Sequence, residues 1–521
     1  MSEPVEVKNR GIITLCVMAA TVMQVLDTTI ANVALPHMQG SLSAAQDTIT
    51  WVLTSYIVAA AVATPLSGWL ADRFGRKRLF LISVGGFTIA SMLCGSAMSL
   101  GEMVTFRVFQ GIFGAALIPL SQAVMLDINP RERHAQAMAI WGAGIMIGPI
   151  LGPALGGYLT DTLSWRWVFF VNLPIGVLVF LGLLFLMAPN RPQVRNFDFL
   201  GFSLLAIAVA ALQFMLDRGE QKDWFGSVEI WAELFISIGA FWMFGVHLAT
   251  SKHAFIDRRL LLDRNLMSSL CLIFVVGAVV VGVAALVPPM LQNLFGYSTV
   301  ESGLVLAPRG GGTLVMMLLL GRFGKHFDPR LLLLMGLAIT VGAMWWMTRF
   351  TIVMGWLPFV TNGILQGFGL GLLFGPLTAL SLSTVDAQLR NQAASLFSLM
   401  RNVGSSVGVS ILATELAQNT QINHAQLVEH INPFNPAMMP QLSGIAAAVA
   451  APFAAFVPAL LNQEVTRQAA MIAYINDFKL VMWMALASFP FILILRAPKR
   501  QPTAPAAPSA AASQIPADVP H

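Results

Sequence analysis

The sequence predicts an all-α integral membrane protein with 14 transmembrane helices. Three observations lead there. Hydrophobic residues make up 56% of the chain and charged residues 11%, whereas soluble domains carry about a quarter charged residues. The apolar residues gather into runs of about twenty, the length a helix needs to cross a bilayer. Lysine and arginine are concentrated in alternate loops between those runs, the asymmetry that orients membrane proteins. A chain of 521 residues could form several soluble domains, but this one has too few charges to cover their exteriors. In lipid every backbone polar group must be satisfied within its own segment, so long apolar runs must be helices.

The runs lie near 12–35, 49–71, 79–97, 101–127, 136–160, 167–188, 199–217, 229–250, 267–292, 302–321, 331–349, 354–384, 392–414 and 477–496. The first is too long for a signal peptide and follows Lys8 and Arg10, so it reads as an uncleaved span. The Ala- and Pro-rich stretch 442–461 is assigned to a long external loop, 415–475. Twenty-one of the 30 basic residues then fall on the side of the amino terminus and five on the other. Both termini are therefore expected in the cytoplasm, and the net charge of +5 needs no nucleic-acid partner. Residues 497–521 are rich in Pro, Ala and Ser and are expected to form a disordered tail. Cys16, Cys94 and Cys271 all lie in apolar runs without metal spacing; no metal or cofactor is expected.

Several polar residues stand where lipid-spanning helices do not tolerate them idly. Asp27 lies within the first span with Gln24 one turn before it and Asn32 beyond. Burial disfavours a charged carboxylate, which suits proton exchange; a structural Asp held by Thr28 or Thr29 is the alternative. Arg107 and Gln110 share a face of the fourth span with Gly111 and Gly114. An arginine at mid-bilayer costs roughly 3 kcal/mol or more and needs a cavity or a partner. Asn172, Arg309 and Arg401 are further intramembrane polar positions. In the fifth span Gly144, Gly148, Gly152 and Gly156 recur every fourth residue, with Pro149, Pro153 and Gly157 beside them. Such a stripe lets a second helix approach closely.

The loop after the second span reads Gly68-Trp69-Leu70-Ala71-Asp72-Arg73-Phe74-Gly75-Arg76-Lys77-Arg78. That order of Gly, Asp, Arg and Gly resembles the signature loop of the major facilitator superfamily. The resemblance implies a conformational latch formed by Gly68, Asp72, Arg73, Gly75 and Arg76. A degenerate copy, Gly321 to Arg330, has Lys325 where the first has Asp72. Weak internal symmetry of this kind is expected of transporters built from repeats. The Gly144–Gly157 stripe resembles the antiporter motif of the superfamily's exporters, and Arg107 stands where the family has an arginine associated with proton coupling.

Gln24 to Pro36, Trp165 to Gly176 and Arg390 to Gly408 are similar to motifs of the fourteen-span drug:proton antiporters. The external segments Met215–Phe225 and His424–Pro436 are similar to loops of the EmrB-type members, which work in the inner membrane with a periplasmic adaptor. The resemblance covers residues 12–496; Arg309 stands outside its motifs.

That family implies a major facilitator fold: an amino-terminal six-helix bundle (1–188), an inserted helix pair (189–265) and a carboxy-terminal six-helix bundle (266–496). It also implies a proton-coupled exporter of hydrophobic, drug-like compounds, with Asp27 and Arg107 in proton coupling and an outer-membrane channel beyond the adaptor. Neither a phosphate-binding loop nor an HExxH arrangement occurs, which speaks against an ATP-driven pump and a zinc hydrolase. A specific exporter of a fatty acid or siderophore, and a non-transporting receptor, remain the alternatives.

Overall fold

The computed structural model describes residues 9–45, 48–130, 133–145, 147–188, 197–251, 254–324, 327–386, 388–429 and 457–496. Among them there is no strand. Fourteen helical rods follow one another: α1 (Arg10–Ser41), α2 (Trp51–Phe74), α3 (Arg76–Ser96), α4 (Leu100–Gly114 and Leu117–Asp127), α5 (His134–Ile145 and Ile147–Thr162), α6 (Trp167–Phe170 and Asn172–Leu186) and α7 (Phe199–Arg218). Then come α8 (Val228–Thr250), α9 (Arg264–Phe295), α10 (Thr299–Phe323), α11 (Pro329–Met347), α12 (Leu357–Ser383), α13 (Arg390–Glu429) and α14 (Val457–Ala487 and Phe489–Ile494). Every rod but α5 is long and apolar enough to cross a membrane; α5 is divided at position 146, which lies outside the described residues.

Local chemistry sets the helix ends. Asp198, Asp257, Asp263 and Asp328 each accept a backbone N–H at a helix start, and Ser298 with Glu301 forms a reciprocal capping box on α10. Gly75, at φ 83°, makes the turn between α2 and α3 that a residue with a Cβ would strain.

The packing repeats itself. In the first half α1 packs on α5 and α6, α2 on α4, and α3 on α4 and α6. In the second half α9 packs on α13 and α14, α10 on α12, and α11 on α12 and α14. Advancing each number by eight turns one set into the other, so two six-helix bundles share one plan. The two lead contacts are also chemically alike. A Cβ on Gly148 would lie 2.7 Å from Val25 Cγ1 where α5 meets α1, and one on Gly277 would lie 2.5 Å from the Arg401 carbonyl where α9 meets α13. Backbones approach this closely only where glycine removes the side chain.

The bundles meet through α2 and α5 on one side and α10, α12 and α13 on the other. The additional pair, α7 and α8, packs together, and α7 reaches both bundles. Thr54 on α2 donates to Asp217. On the other flank Gln213 Nε2 donates to Ser406 Oγ at 2.6 Å, and Ser410 Oγ donates to the Leu216 carbonyl at 2.7 Å.

One expectation needs correction. Much of 415–475 is helix, because α13 runs to Glu429 and α14 begins at Val457. The 40 residues of α13 span about 60 Å, twice the hydrocarbon thickness of a bilayer. The outer parts are polar helices that meet where His424 Nε2 lies 3.0 Å from Asn462 Oδ1; within α14, Glu464 accepts from Gln468 one turn on. Hydropathy falls there while helix propensity does not. Residues 430–456, which include most of the 442–461 stretch, and the tail 497–521 lie outside the described residues.

Asp198 clasps the inserted pair at its loop end. It accepts from the Gly201 and Phe255 backbone N–H groups at 2.9 Å, and His247 Nε2 lies 2.8 Å away. Burial works to raise this carboxyl, but the hydrogen bonds and the His247 charge outweigh it and hold the group below its ordinary value. A depressed folded-state value stabilises above the unfolded one, so the contribution is present at neutral pH and fades only below about pH 4. Asp198→Ala should cost about 1–2 kcal/mol at pH 7, read as a lower melting temperature of the purified protein, with the difference from wild type shrinking under acid.

Candidate functional site

Four membrane-buried polar side chains converge in the first bundle. Asp27 on α1, Arg107 and Gln110 on α4 and Asn172 at the start of the long segment of α6 are each fully buried. Asp27 Oδ2 accepts from Arg107 Nη1 at 2.7 Å. Its Oδ1 accepts from Gln110 Nε2 and from Asn172 Nδ2, both at 2.8 Å. Gln110 Oε1 in turn accepts from Arg107 Nη1 at 2.9 Å, and Asn172 also donates to Ser91 Oγ at 3.0 Å. Taking two ions out of water costs several kcal/mol each, and only good geometry with further hydrogen bonds recovers it. The three donors on the carboxylate meet that requirement for Asp27, while Arg107 Nη2 is buried with no hydrogen-bond partner among the described residues.

Sequence spacing put Gln110 one turn after Arg107, and it could not show that Asn172, on a different span, closes the carboxylate's remaining side. Two side chains of the cluster escaped the sequence reading. Tyr56 on α2 lies with its ring 4.5 Å below the Arg107 guanidinium, and Ser91 on α3 links Asn172 to the Phe169 carbonyl. Both are common residue types in apolar spans, so no sequence signal singles them out. Gln24 is buried beside Tyr56. Asn32 does not join the cluster: it is exposed, and its amide donates back to the Thr28 carbonyl. It sits one and a half turns past Asp27, on another face of α1.

The glycine stripe of α5 is where α1 docks. A Cβ on Gly144 would lie 2.5 Å from Met18 Cε, one on Gly152 would run into Thr29, and one on Gly156 would lie 3.0 Å from Ile30 Cγ2. Gly157 departs from this pattern, since nothing lies within 4 Å of its Cβ direction. It is one residue off the four-residue period and faces away from α1. Pro149 lies in the helix. The stripe therefore holds α1, and Asp27 with it, at close range.

A second polar cluster ties the bundles together. Asn391 at the start of α13 donates to Asp72 Oδ1 at 2.6 Å and accepts from Arg76 Nε at 2.8 Å. Arg76 pairs with Asp127 at the end of α4, which Arg390 approaches to 3.7 Å. Ser67 and Ser395 lie 3.0 Å apart, and a Cβ on Gly68 would meet Ser395 Oγ at 2.8 Å. Arg73 takes no part; it is exposed, on the opposite face of α2 from the contact. Asp127 had no signal in the sequence, because an acid at the end of a span reads as an ordinary boundary residue.

The other half has no such cluster among the described residues. Gly321 packs on Gln136 of α5, and Asp328 caps α11 through Arg330 N–H. Lys325 lies outside the described residues. Both clusters draw on α2. Near one end the Val52 carbonyl accepts from Arg107 Nε at 3.0 Å, and at the other Asp72 meets Asn391. The helix between them is a rod of about 30 Å.

Arg309 and Arg401 lie in the second bundle, apart from Asp27. Asp477 on α14, which the sequence reading placed only at the edge of a span, is buried there with neither carboxylate oxygen hydrogen-bonded.

Residues 17–409 match the family described as Major Facilitator Superfamily. The chain is 37% identical to the multidrug export protein EmrB of Escherichia coli K12 over 455 residues, covering 85% of this chain and 88% of that one. It is 36% identical to the fatty acid resistance protein FarB of Neisseria gonorrhoeae, covering 81% and 84%. Among solved structures it resembles the proton:xylose symporter XylE, with a TM-score of 0.58 at 16% identity over 93% of this chain and 96% of that one, a likeness of fold. The chain belongs to the major facilitator superfamily, in the branch that holds EmrB and FarB.

Gly152→Leu should force α1 off α5 at Thr29 and disturb the Asp27 cluster. Overpacking of this kind costs about 1–3 kcal/mol. A lower melting temperature together with lost transport is expected, and a variant that exports normally would show that this close approach is dispensable.

Proposed function

We propose that this protein is a proton-coupled multidrug efflux transporter of the inner membrane, with both termini in the cytoplasm, exporting hydrophobic or amphipathic compounds. It is a transporter rather than an enzyme. The observation that carries the reading is the sealed Asp27–Arg107 pair, joined by α2 to a polar latch between the bundles. The names borne by the EmrB relatives support the direction and the drug-like substrates.

The geometry supports the following cycle. With Asp27 ionised, Arg107, Gln110 and Asn172 are held by it and the latch is closed. A proton on Asp27 removes the charge that holds Arg107, and the guanidinium is free to move against Tyr56 and Val52 on α2. Motion of α2 strains Asp72 and Gly68 against α13, so the halves rock about a site between them. Gly75, Arg76, Asp127 and Arg390 complete the catch. One pH unit supplies about 1.4 kcal/mol per proton, and 100 mV about 2.3 kcal/mol per net charge moved. A hundredfold gradient of a neutral drug costs about 2.7 kcal/mol, so one proton per drug is enough.

The paired helical projection of α13 and α14, on the face away from the latch, is the contact for a periplasmic adaptor leading to an outer-membrane channel. It exposes Ile422 and Val428. A second reading, export of one endogenous metabolite such as a fatty acid, is favoured by the similarity to FarB.

Membrane vesicles turned inside out should accumulate drug on a proton gradient. Asp27→Asn and Arg107→Ala should abolish this while leaving insertion intact, and Arg107→Lys should keep part of it, since the charge stays but the fork is lost. Wild-type uptake by Asp27→Asn would sink the coupling role. Replacing 420–470 with a short polar linker should abolish co-purification with the adaptor and resistance in cells, yet spare transport in proteoliposomes. Loss in the purified system as well would make the projection a cap over the protein's own exit.

A further inference from the structure

Among the described residues the buried carboxylates are Asp27, Asp72 and Asp477. Arg107 holds the first, and Asn391 donates to the second. Asp477, on α14, is 1% exposed, and neither of its oxygens has a hydrogen-bond partner among the described residues. It stands deep in the helix. Arg467 donates to the Leu294 carbonyl at one end of α9, and the Arg496 backbone is bonded to Asn265 at the other. Asp477 lies about 15 Å along α14 from Arg467 and about 28 Å from Arg496, within the span.

Three helices pack on α14: α9, α11 and α13. From α13 Glu415 acts electrostatically on Asp477. Glu415 is exposed, accepts from Asn419 Nδ2 at 2.9 Å, and lies toward the end of α13 remote from the latch. Nearer the latch, Arg401 bonds to its neighbour Asn402. The titratable groups of α9 and α11 are Arg264, Cys271 and Arg330, all toward the latch end of those helices. On α14 itself Tyr474 is buried one turn before Asp477, and Lys479 is exposed on another face.

An ionised carboxylate with neither a donor nor a cation is among the costliest groups to keep in an apolar interior, and such a group takes up a proton instead. Like charges within reach of each other also oppose joint ionisation. Asp27 is the reverse case, since three donors satisfy its charge. Each bundle therefore contains one membrane-buried acid, the first held as an ion and the second with nothing to hold its charge.

We propose that Asp477 is a second proton-carrying group of this transporter, protonated in this conformation and exchanging its proton with water by way of Glu415. The carboxyl O–H bond is broken to water and remade from water, with no other reactant. This rests on the transport reading above and adds a proton to the one carried by Asp27.

Two measurements on the full-length protein test it. The infrared carbonyl stretch marks a protonated carboxyl. Purified wild type at neutral pH should show such a band, and Asp477→Asn should remove it. Glu415→Gln should move the loss of the band to lower pH, because a neighbouring negative charge is gone. In proteoliposomes under an imposed difference of one pH unit, Asp477→Asn should accumulate ethidium about tenfold less than wild type, the contribution of one proton. Ethidium counterflow, which needs no net proton movement, should continue unchanged. Absence of the band at neutral pH, or a band that neither substitution alters, overturns the proposal. Undiminished accumulation by Asp477→Asn overturns it as well, and counterflow lost together with accumulation makes Asp477 a packing residue instead. Should Asp477→Asn fail to fold, the wild-type band and its response to Glu415→Gln decide. If a proton gradient moves no ethidium in wild type, the transport reading fails, and the infrared arm alone decides whether Asp477 binds an exchangeable proton.

Discussion

An ion pair without accessible surface, placed where the surrounding solvent is lipid, sets the terms for the first bundle. Asp27 and Arg107 compensate each other only while both stay within hydrogen-bond reach, and Gln110 and Asn172 must be there to satisfy what remains of the carboxylate. Four residues on three helices are thereby fixed. The glycine stripe of α5 belongs to the same constraint, because α1 can carry Asp27 into the cluster only if its backbone sits against Gly148 and Gly152. Separating either partner leaves a buried charge uncompensated, at a cost of about 3–5 kcal/mol.

In the proposed cycle, the latch is what turns the change at Asp27 into a change of shape. It is built from hydrogen bonds among Asp72, Asn391 and Arg76 and from ion pairs of Asp127 with Arg76 and Arg390, at the end of α2 remote from Arg107. Asp72 and Asn391 are buried there, between the two bundles. The second half, although packed on the same plan, places its acid Asp328 as a helix cap and closes on α5 through Gly321 and Gln136. The asymmetry extends inward. The first bundle holds a neutralised pair, while in the second Arg309 and Arg401 form no ion pair among the described residues.

The spans were legible because lipid imposes a single rule on composition, and helix positions in the chain followed from it. The ends were not. Hydropathy marks where a helix leaves lipid, not where it stops, so the polar continuation of α13 to Glu429 and the early start of α14 read as loop. Intramembrane polar residues were legible one by one: Asp27, Arg107 and Gln110 announce themselves by standing in apolar runs. Their partners were harder. Tyr56 and Ser91 are unremarkable in such runs, and Asp127 and Asp477 fell at predicted span edges, where an acid carries no information. Asn32, Arg73 and Gly157 belong to recognisable motifs, yet their helical phase turns them away from the contacts those motifs make. Periodicity within one helix is written in the sequence, whereas the face that meets a neighbour depends on how the helices cross.

The most direct measurement is of protons released or taken up when substrate binds the purified protein in weakly buffered solution, for wild type and for Asp27→Asn. The account predicts a substrate-linked proton change in wild type that is absent in Asp27→Asn, with substrate binding itself retained. An undiminished proton change in the variant would contradict it and move the coupling site elsewhere in the molecule.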